Sequence, residues 1–133
     1  MPVPGSLKRR PVNENELAEL LELQFEIEPL ETWAYMRLLE GDDMTLHELA
    51  LELDVPVSEA QALMERMLSS GLVIRTPGSE PRFTPLHPRM VMTNIFKVYE
   101  KRVVDALRDH RATVDRVVNM LIPIYEERKI RAG

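Results

Sequence analysis

The spacing of apolar residues predicts two amphipathic helices in the first third of the chain. Asn13 is placed to cap the segment ENELAELLELQF, in which leucines recur at helical spacing. Pro29 fits the first turn of a second segment, PLETWAYMRLLEG, which Gly41 ends. Each segment has an apolar face that a core must cover.

Two shorter helices joined by a tight turn are predicted next. The segment TLHE has the spacing of a capping box and predicts a helix from about Thr45 to Leu53. After the turn DVP, the segment SEAQ predicts a second capping box, in which Ser58 begins a helix that ends at Ser70 before Gly71. This order is the helix-turn-helix pattern.

The residues after Gly71 predict a small hairpin. LVIRT is rich in β-branched residues, PGSEP is rich in turn residues, and RFTP returns as a second short strand. A hairpin of this size is called a wing. The predicted fold is therefore mainly α with a small β-wing. Its expected core residues are Trp33, Leu38, Leu49, Leu53, Leu63, Met67, Leu72 and Val73.

A long helix follows from Arg89 to about Ile122, where Pro123 is expected to interrupt it. Roughly 34 residues make a helix of about 50 Å, which this small domain cannot cover. The simplest partner is the same helix of a second copy, in a homodimer with coiled-coil-like packing. The alternative is that the helix folds back on the first helix of its own chain, and the two arrangements are compatible. With Phe96 at heptad position a, the predicted dimerisation residues are Phe96, Tyr99, Val103, Ala106, Leu107, His110, Val114, Val117, Met120, Leu121 and Ile124.

Charge is distributed unevenly along these 133 residues, whose net charge is −5. We divide the chain into a basic arm (1–12), a winged helix-turn-helix domain (13–88) and a long dimerisation helix with its tail (89–133). The arm has three basic side chains and no acid, the middle has four basic and 16 acidic, and the last part has 10 basic and six acidic. Such asymmetry informs about partners rather than about fold.

Several classes of protein are disfavoured. The chain has no cysteine, no apolar run of the roughly 18 to 20 residues that a membrane span needs, and no secretory signal. We therefore expect a cytoplasmic protein without membrane contact. His47, His87 and His110 lack metal-ligand spacing, and there is no glycine-rich phosphate loop or nucleophile elbow. We expect no enzymatic activity, no metal and no cofactor.

The order helix, helix, helix, wing, long helix resembles the winged-helix domain of TrmB-type transcriptional regulators. The resemblance covers about residues 25 to 92, with matching positions at Val55, Pro56 and Ser58, at GLV (71–73), and at the proline that opens the long helix. Winged helices of the MarR and ArsR types share these features. The resemblance implies a dimer on a pseudo-palindromic operator, with the helix from Ser58 in the major groove. It also implies a sugar-binding domain in full-length members. Because the chain ends at Gly133, we expect a regulator without its own effector domain.

The helix from Ser58 has unusual charges for this role. Its expected exposed residues are Glu59, Gln61, Ala62, Glu65, Arg66 and Ser69. Gln61 suits adenine and Arg66 suits phosphate or guanine, whereas the two glutamates mostly repel a polyanion. The predicted DNA-binding residues are Ser58, Gln61, Ala62, Arg66, Arg75, Arg82, Arg89, Lys8, Arg9 and Arg10.

Two functional hypotheses stay open at this point. The first is a homodimeric regulator that binds double-stranded DNA. The second is a winged helix that has become an acidic protein-protein interaction module, docking another protein through the 13–88 surface with little or no DNA binding. Arg75 and Arg82 can equally pair with neighbouring acids, and the basic arm can equally be a solvated terminus. His110 at position a would meet its mate in a parallel pair, so protonation near pH 6 would loosen the dimer; the alternative is a partly exposed imidazole.

Overall fold

The computed structural model describes residues 11–133; the predicted DNA-binding residues Lys8, Arg9 and Arg10 lie outside this range. The described part has five helices and one three-stranded sheet. In chain order the elements are α1 (Glu14–Phe25), α2 (Pro29–Glu40), β1 (Met44–Thr45), α3 (Leu46–Leu53), α4 (Val57–Ser70), β2 (Val73–Arg75), β3 (Arg82–Pro85) and α5 (Pro88–Ala132).

Local hydrogen bonds account for where three of the helices begin. The Asn13 side chain accepts from the backbone N–H of Glu16 at 3.1 Å, as the predicted cap of α1 requires. The Thr45 hydroxyl accepts from the N–H of Glu48 at 3.3 Å at the start of α3, which confirms that cap too. Glu28 and Glu31 form a capping box around Pro29 at the start of α2. The predicted start of α2 includes the proline at this position but not the capping box.

The start of α4 differs from the expectation. The helix begins at Val57, and its N-cap is Pro56, which has no side chain to accept a hydrogen bond. The predicted capping box at Ser58 is therefore wrong, and Ser58 lies inside the first turn. The ring of Pro56, with φ of −62°, supplies the entry geometry in place of a serine cap.

The wing is present and includes a third strand that was not predicted. β2 and β3 pair antiparallel with Ile74 opposite Thr84. β1 joins the other side of β3, with Met44 opposite Phe83, so the strand order is β1-β3-β2. A strand of two residues has too short an alternation to detect in sequence. It ties the wing to the start of α3.

The core lies between the helix-turn-helix, the wing and the first turns of α5. Six of the eight predicted core residues are buried, and Leu53 is half-buried. Trp33 is 38% exposed, so its assignment to the core was wrong. Ala34, Met36 and Leu38 of the same helix are buried, so Trp33 lies at the edge of the apolar face of α2. The buried residues that form one cluster are Ala34, Leu38, Leu49, Leu63, Met64, Met67, Leu72, Val73, Phe83, Val91 and Ile95.

The described chain separates into two compact units, the first ending at Phe96 and the second comprising Lys97–Gly133. The first unit includes the opening turns of α5, where the Asn94 side chain donates to the Gly71 carbonyl at 2.8 Å. The second unit is helical to Ala132 and continues through Pro123. The predicted interruption is therefore wrong. A proline removes one helical hydrogen bond, and α5 resumes beyond it.

None of the five helices in residues 11–133 combines the length and hydropathy that a membrane span requires.

Candidate nucleic-acid interface

The turn between α3 and α4 fixes where the second helix of the motif starts. Asp54 has φ of 55°, in the left-handed region that Asp and Asn tolerate better than most residues. The N–H of Val55 donates to the carbonyl of Ala50 at 3.0 Å, which closes the end of α3. Pro56 then leads directly into α4.

One face of α4 is buried and the other meets solvent. Ala60, Leu63, Met64 and Met67 face the core. The whole predicted exposed set is exposed, together with Ser58. At 100° per residue, Ser58, Ala62 and Ser69 lie within about 40° of one another, at the centre of the exposed face. Glu65 lies about 20° from Ser58 by the same geometry, so a groove facing α4 meets three small side chains and one carboxylate at the centre.

A cleft of 340 Å³ separates α4 from the wing. Gln61 and Glu65 form its α4 wall, and Arg75 and Glu80 belong to the wing side. His47, at the start of α3, also lines it. The cleft thus brings together two of the predicted DNA-binding residues, Gln61 and Arg75, along with two carboxylates that oppose a phosphate.

The wing hairpin is closed by Thr76 and carries two arginines with different surroundings. The Thr76 N–H donates to the carbonyl of Arg82 at 2.8 Å, and the Arg82 N–H donates back to the Thr76 hydroxyl at 3.0 Å. The Arg75 guanidinium lies 5.7 Å from the centre of the Phe83 ring, within the range of a cation–π contact. Because its contact is with a ring face, Arg75 keeps its N–H donors for another partner.

Arg82 is committed to the domain itself. Its Nη1 donates to the carbonyl of Asp43 at 3.1 Å and lies 3.4 Å from a carboxylate oxygen of Glu48. These contacts join β3 to the strand-helix segment at α3. Pairing with neighbouring acids, which the sequence had left open for Arg82, is present.

Arg66 is also engaged within the domain, which the sequence did not suggest. Its Nη2 lies 3.3 Å from Oε2 of Glu28, and its Nε lies 3.9 Å from Oε1 of Glu31. Both carboxylates belong to the capping box of α2. The segment EPLE (28–31) has the spacing of a capping box and could have predicted the box itself. The sequence alone gives no reason to place that box near α4. Two of the three arginines predicted on α4 and the wing are therefore ion-paired.

Glu31 is a buried carboxylate at this junction, with 8% of its surface exposed. Burial raises its pKa above the ordinary value of 4.5; the hydrogen bond from the Glu28 N–H and the charge of Arg66 partly offset this rise, and the charge of Glu28 adds to it. Its Oε2 accepts that hydrogen bond at 3.3 Å.

One further residue of the predicted DNA-binding set, Arg89, lies on α5. Arg89 is exposed at the start of α5, and its backbone N–H donates to Nδ1 of His87 at 3.0 Å.

No group of three or more His, Asp or Glu residues suited to a metal ion occurs within residues 11–133.

The second unit carries a broad exposed apolar face. Ten of the 11 predicted dimerisation residues lie in this unit, and all of these are exposed except Tyr99, which is half-buried; the eleventh, Phe96, is exposed at the end of the first unit. Val104, Val118 and Ile122 are exposed as well, outside the predicted heptad positions. The apolar arc is consequently wider than the a and d seam of a two-stranded coiled coil.

Comparison with known proteins identifies relatives of this arrangement. A family model described as sugar-specific transcriptional regulator TrmB matches residues 21–89, from the end of α1 to the start of α5. The chain is 24% identical to the DNA-binding HTH-type transcriptional repressor TrmBL2 of Thermococcus kodakarensis, over 84% of this chain and 42% of that protein. It is also 24% identical to a putative HTH-type transcriptional regulator TrmBL2 of Pyrococcus furiosus, over 86% of this chain and 44% of that protein. The chain spans less than half the length of these curated relatives.

Solved structures support the same fold. The structure of TrmBL2, described as an archaeal chromatin protein with a novel mode of DNA binding, superposes with a TM-score of 0.71 at 23% identity, over 84% of this chain and 43% of that one. A MarR family protein from Bacillus stearothermophilus superposes with a TM-score of 0.51 at 21% identity, over 82% of both chains. At these identities the likeness establishes the winged-helix fold.

Proposed function

Since the chain belongs to the TrmB family of transcriptional regulators, we propose that it acts as a homodimer that binds double-stranded operator DNA through α4 and the wing. The observation that carries this proposal is the exposed face of α4 beside the wing cleft, where Gln61 and Arg75 reach one surface. The relatives described as DNA-binding support it. The proposed role of the C-terminal unit is to pair two such domains through its apolar face.

The ion pairs of Arg66 and Arg82 limit which basic side chains are free to contact DNA phosphates. Arg66 and Arg82 are each held by carboxylates, so Arg75 and Arg89 are the proposed phosphate contacts of each winged-helix domain. Lys8, Arg9 and Arg10 are proposed to add a minor-groove arm. Small side chains at Ser58, Ala62 and Ser69 allow close approach of α4 to base edges, with Gln61 as the candidate for adenine.

Salt dependence tests this assignment. Four phosphate contacts in a dimer give a slope of log affinity against log salt of about −4, and the six side chains of two arms raise it to about −9. We expect the intact protein to show the steeper slope. Replacing Lys8, Arg9 and Arg10 by alanine should bring it to the shallower one. Fluorescence anisotropy with duplexes from the upstream region of its own gene, across a salt series, measures both.

The acidic residues of α4 provide a sharper test of which face meets DNA. Glu59 and Glu65 are exposed on this helix, so the double change Glu59→Gln and Glu65→Gln should tighten DNA binding by about threefold to tenfold, because it removes repulsion from phosphates. The double change Glu19→Gln and Glu22→Gln, at exposed positions of α1, is the matched control, and it should have little effect. Equal effects of the two changes would show that α4 does not face the DNA.

A second candidate function is favoured by the pairing of Arg66 and Arg82. With both arginines neutralised, Glu59 and Glu65 leave the exposed surface of α4 acidic, which suits a basic protein partner. Absence of DNA binding at 50 mM salt, combined with stoichiometric recovery of a protein partner that Glu59→Gln and Glu65→Gln release, would establish this function instead.

A further inference from the structure

A second concave surface of the first unit is a cavity of 670 Å³ formed by α1, α2 and the opening turns of α5. Its walls are mostly apolar and include Leu17, Leu21, Met36, Val91 and Met92. Sites for small organic molecules typically measure about 300 to 1,000 Å³ and have mainly hydrophobic walls with a few polar groups. The cavity has the size and lining of such a site.

The cavity has few polar groups, and they differ in whether they have a hydrogen-bond partner. Thr32 is 3% exposed and lines the cavity, and its hydroxyl has no hydrogen-bond partner among the described residues. The Tyr35 hydroxyl, by contrast, already donates to the carbonyl of Leu86 at 2.7 Å. A buried hydroxyl without a partner is costly, so a bound group that bonds to Thr32 recovers stability.

The charge of the lining is acidic. Glu31 and Glu40 contribute carboxylates, and none of the described lining residues is basic. Glu31 is buried, and its one cationic neighbour in the ion-pair geometry, Arg66, approaches no closer than 3.9 Å. A carboxylate removed from water forms strong charge-assisted hydrogen bonds with a cationic donor. The arrangement therefore favours a cation over a neutral molecule or an anion.

Glu31 also connects the cavity to the proposed DNA-binding helix. The same carboxylate that lines the cavity faces Arg66 of α4. A cation that enters the cavity competes with Arg66 for Glu31, and Arg66 then keeps only its contact with the exposed side chain of Glu28 at 3.3 Å. An exposed ion pair is weak, so the charge of Arg66 on the face of α4 becomes easier for a phosphate to reach.

We propose that this cavity is an effector site for a small hydrophobic amine, whose ammonium group pairs with Glu31 and whose N–H also bonds to the Thr32 hydroxyl. The regulatory part rests on the proposed function: binding of the amine takes Glu31 from Arg66, which leaves only the exposed pair with Glu28 for DNA to displace, and so tightens DNA binding. Because coupling between two sites is reciprocal, DNA tightens binding of the amine by the same factor.

The binding part is tested on the protein alone, without DNA. Isothermal titration calorimetry with 4-phenylbutylamine, 4-phenylbutanol and 4-phenylbutyrate compares a cation, a neutral molecule and an anion of similar shape. We expect the amine to bind at one site per chain and at least about tenfold more tightly than the alcohol, with the carboxylate weakest. Glu31→Gln should remove the preference for the amine, and Thr32→Val should weaken the amine by about threefold to tenfold. Glu19→Gln is the surface control, with unchanged binding.

Other outcomes would overturn the proposal. Equal affinity for the three probes, or an unchanged preference in Glu31→Gln, would mean that the cavity does not recognise a cation. An affinity that falls as protein concentration rises would mean that a second copy covers the cavity. Met92→Trp fills the cavity from a partly exposed position and gives an independent check, since it should abolish binding of the amine even if Glu31→Gln impairs folding.

The regulatory part has a separate readout. DNA affinity measured with and without saturating 4-phenylbutylamine should rise by about threefold to tenfold in the intact protein and stay unchanged in Arg66→Ala. A rise that persists in Arg66→Ala overturns the proposed coupling. If the protein binds the amine but no DNA, the proposed function fails while the cavity assignment stands.

Discussion

At the scale of single residues, Glu31 links the most features of the domain. It closes the capping box of α2, faces Arg66 on α4, and lines the cavity beside Thr32. The position is nevertheless unfavourable for its charge, because burial outweighs the interactions that stabilise the carboxylate. Retention of a destabilising charge is typical of residues that serve a site rather than the fold.

The raised pKa of Glu31 gives a pH-dependent prediction. A group whose pKa is higher in the folded state holds its proton more tightly there, so its contribution to stability is present below the ordinary value of 4.5 and is lost as pH rises through the folded-state pKa. Glu31→Gln removes that loss. The stability of the variant relative to the parent should therefore increase between about pH 4 and about pH 7. Urea unfolding at both pH values measures it, and an identical difference at both would contradict it.

Arg75 and Arg82 allow a second prediction from neighbouring positions of one hairpin. Arg82→Ala breaks the contacts to Asp43 and Glu48 and should lower stability by about 0.5 to 1.5 kcal/mol, with a small effect on DNA binding. Arg75→Ala should lower DNA affinity and reduce the salt slope, because its donors are available to phosphate. Thermal unfolding and anisotropy on both variants test the assignment, which is reversed if Arg82→Ala has the larger effect on DNA.

The sequence could not predict which arginines are free of ion pairs and therefore available to DNA, and the reason is physical. Ion pairing depends on contacts between residues far apart in the chain, such as Arg66 with Glu28 and Arg82 with Glu48. Composition showed that acids outnumber bases here, but not which acid neutralises which base. The exposed positions of α4 were predictable, since they follow from helical period and one apolar face.

At the scale of elements, Gly71 determines how α4 gives way to the wing. It has φ of +78°, and a Cβ placed there would lie 2.3 Å from Nδ2 of Asn94, whose side chain bonds to the Gly71 carbonyl. Gly71→Ala should cost about 2 to 3 kcal/mol, from left-handed strain and from the displaced Asn94.

The Asn94→Ala background separates these two causes of the Gly71 effect. Without the asparagine side chain, Gly71→Ala should cost only the backbone strain, about 1 to 2 kcal/mol. Urea unfolding of the four proteins in this cycle gives both terms. Equal costs in the two backgrounds would mean that the steric contact with Asn94 is relieved without loss.

Elements were predictable to different degrees. The helices, the two-stranded wing and the glycine stop follow from local period and local turn chemistry, and each is present. The start of α4, the strand β1 and the passage of α5 through Pro123 depend on context that short-range patterns lack. Trp33 illustrates the same limit, because helical period places it beside buried Ala34 but does not show how far the core extends around the helix.

At the scale of the whole molecule, the C-terminal unit has an exposed apolar face that is expected to be buried against a partner. Leu107, Val114 and Leu121 are all more than half exposed on this helix. Soluble proteins rarely leave a continuous apolar face of this kind open, and a second copy provides a matching one. The DNA-binding proposal also requires a dimer, because two winged helices must occupy half-sites about 34 to 36 Å apart.

Val117→Glu tests this pairing. Val117 is 44% exposed in the single chain, so the change leaves the core of the first unit intact but buries two carboxylates if the helices pair. The dissociation constant of the dimer should rise by at least about thirtyfold, as measured by sedimentation over a concentration series. Asn119→Glu, two residues away and outside the predicted stripe, is the matched control and should leave the dimer unchanged. Equal weakening by both variants would mean that the interface lies on another face of the helix.

In Val117→Glu, operator affinity should fall together with dimerisation while α4 is unaltered, because a monomer contacts only one half-site.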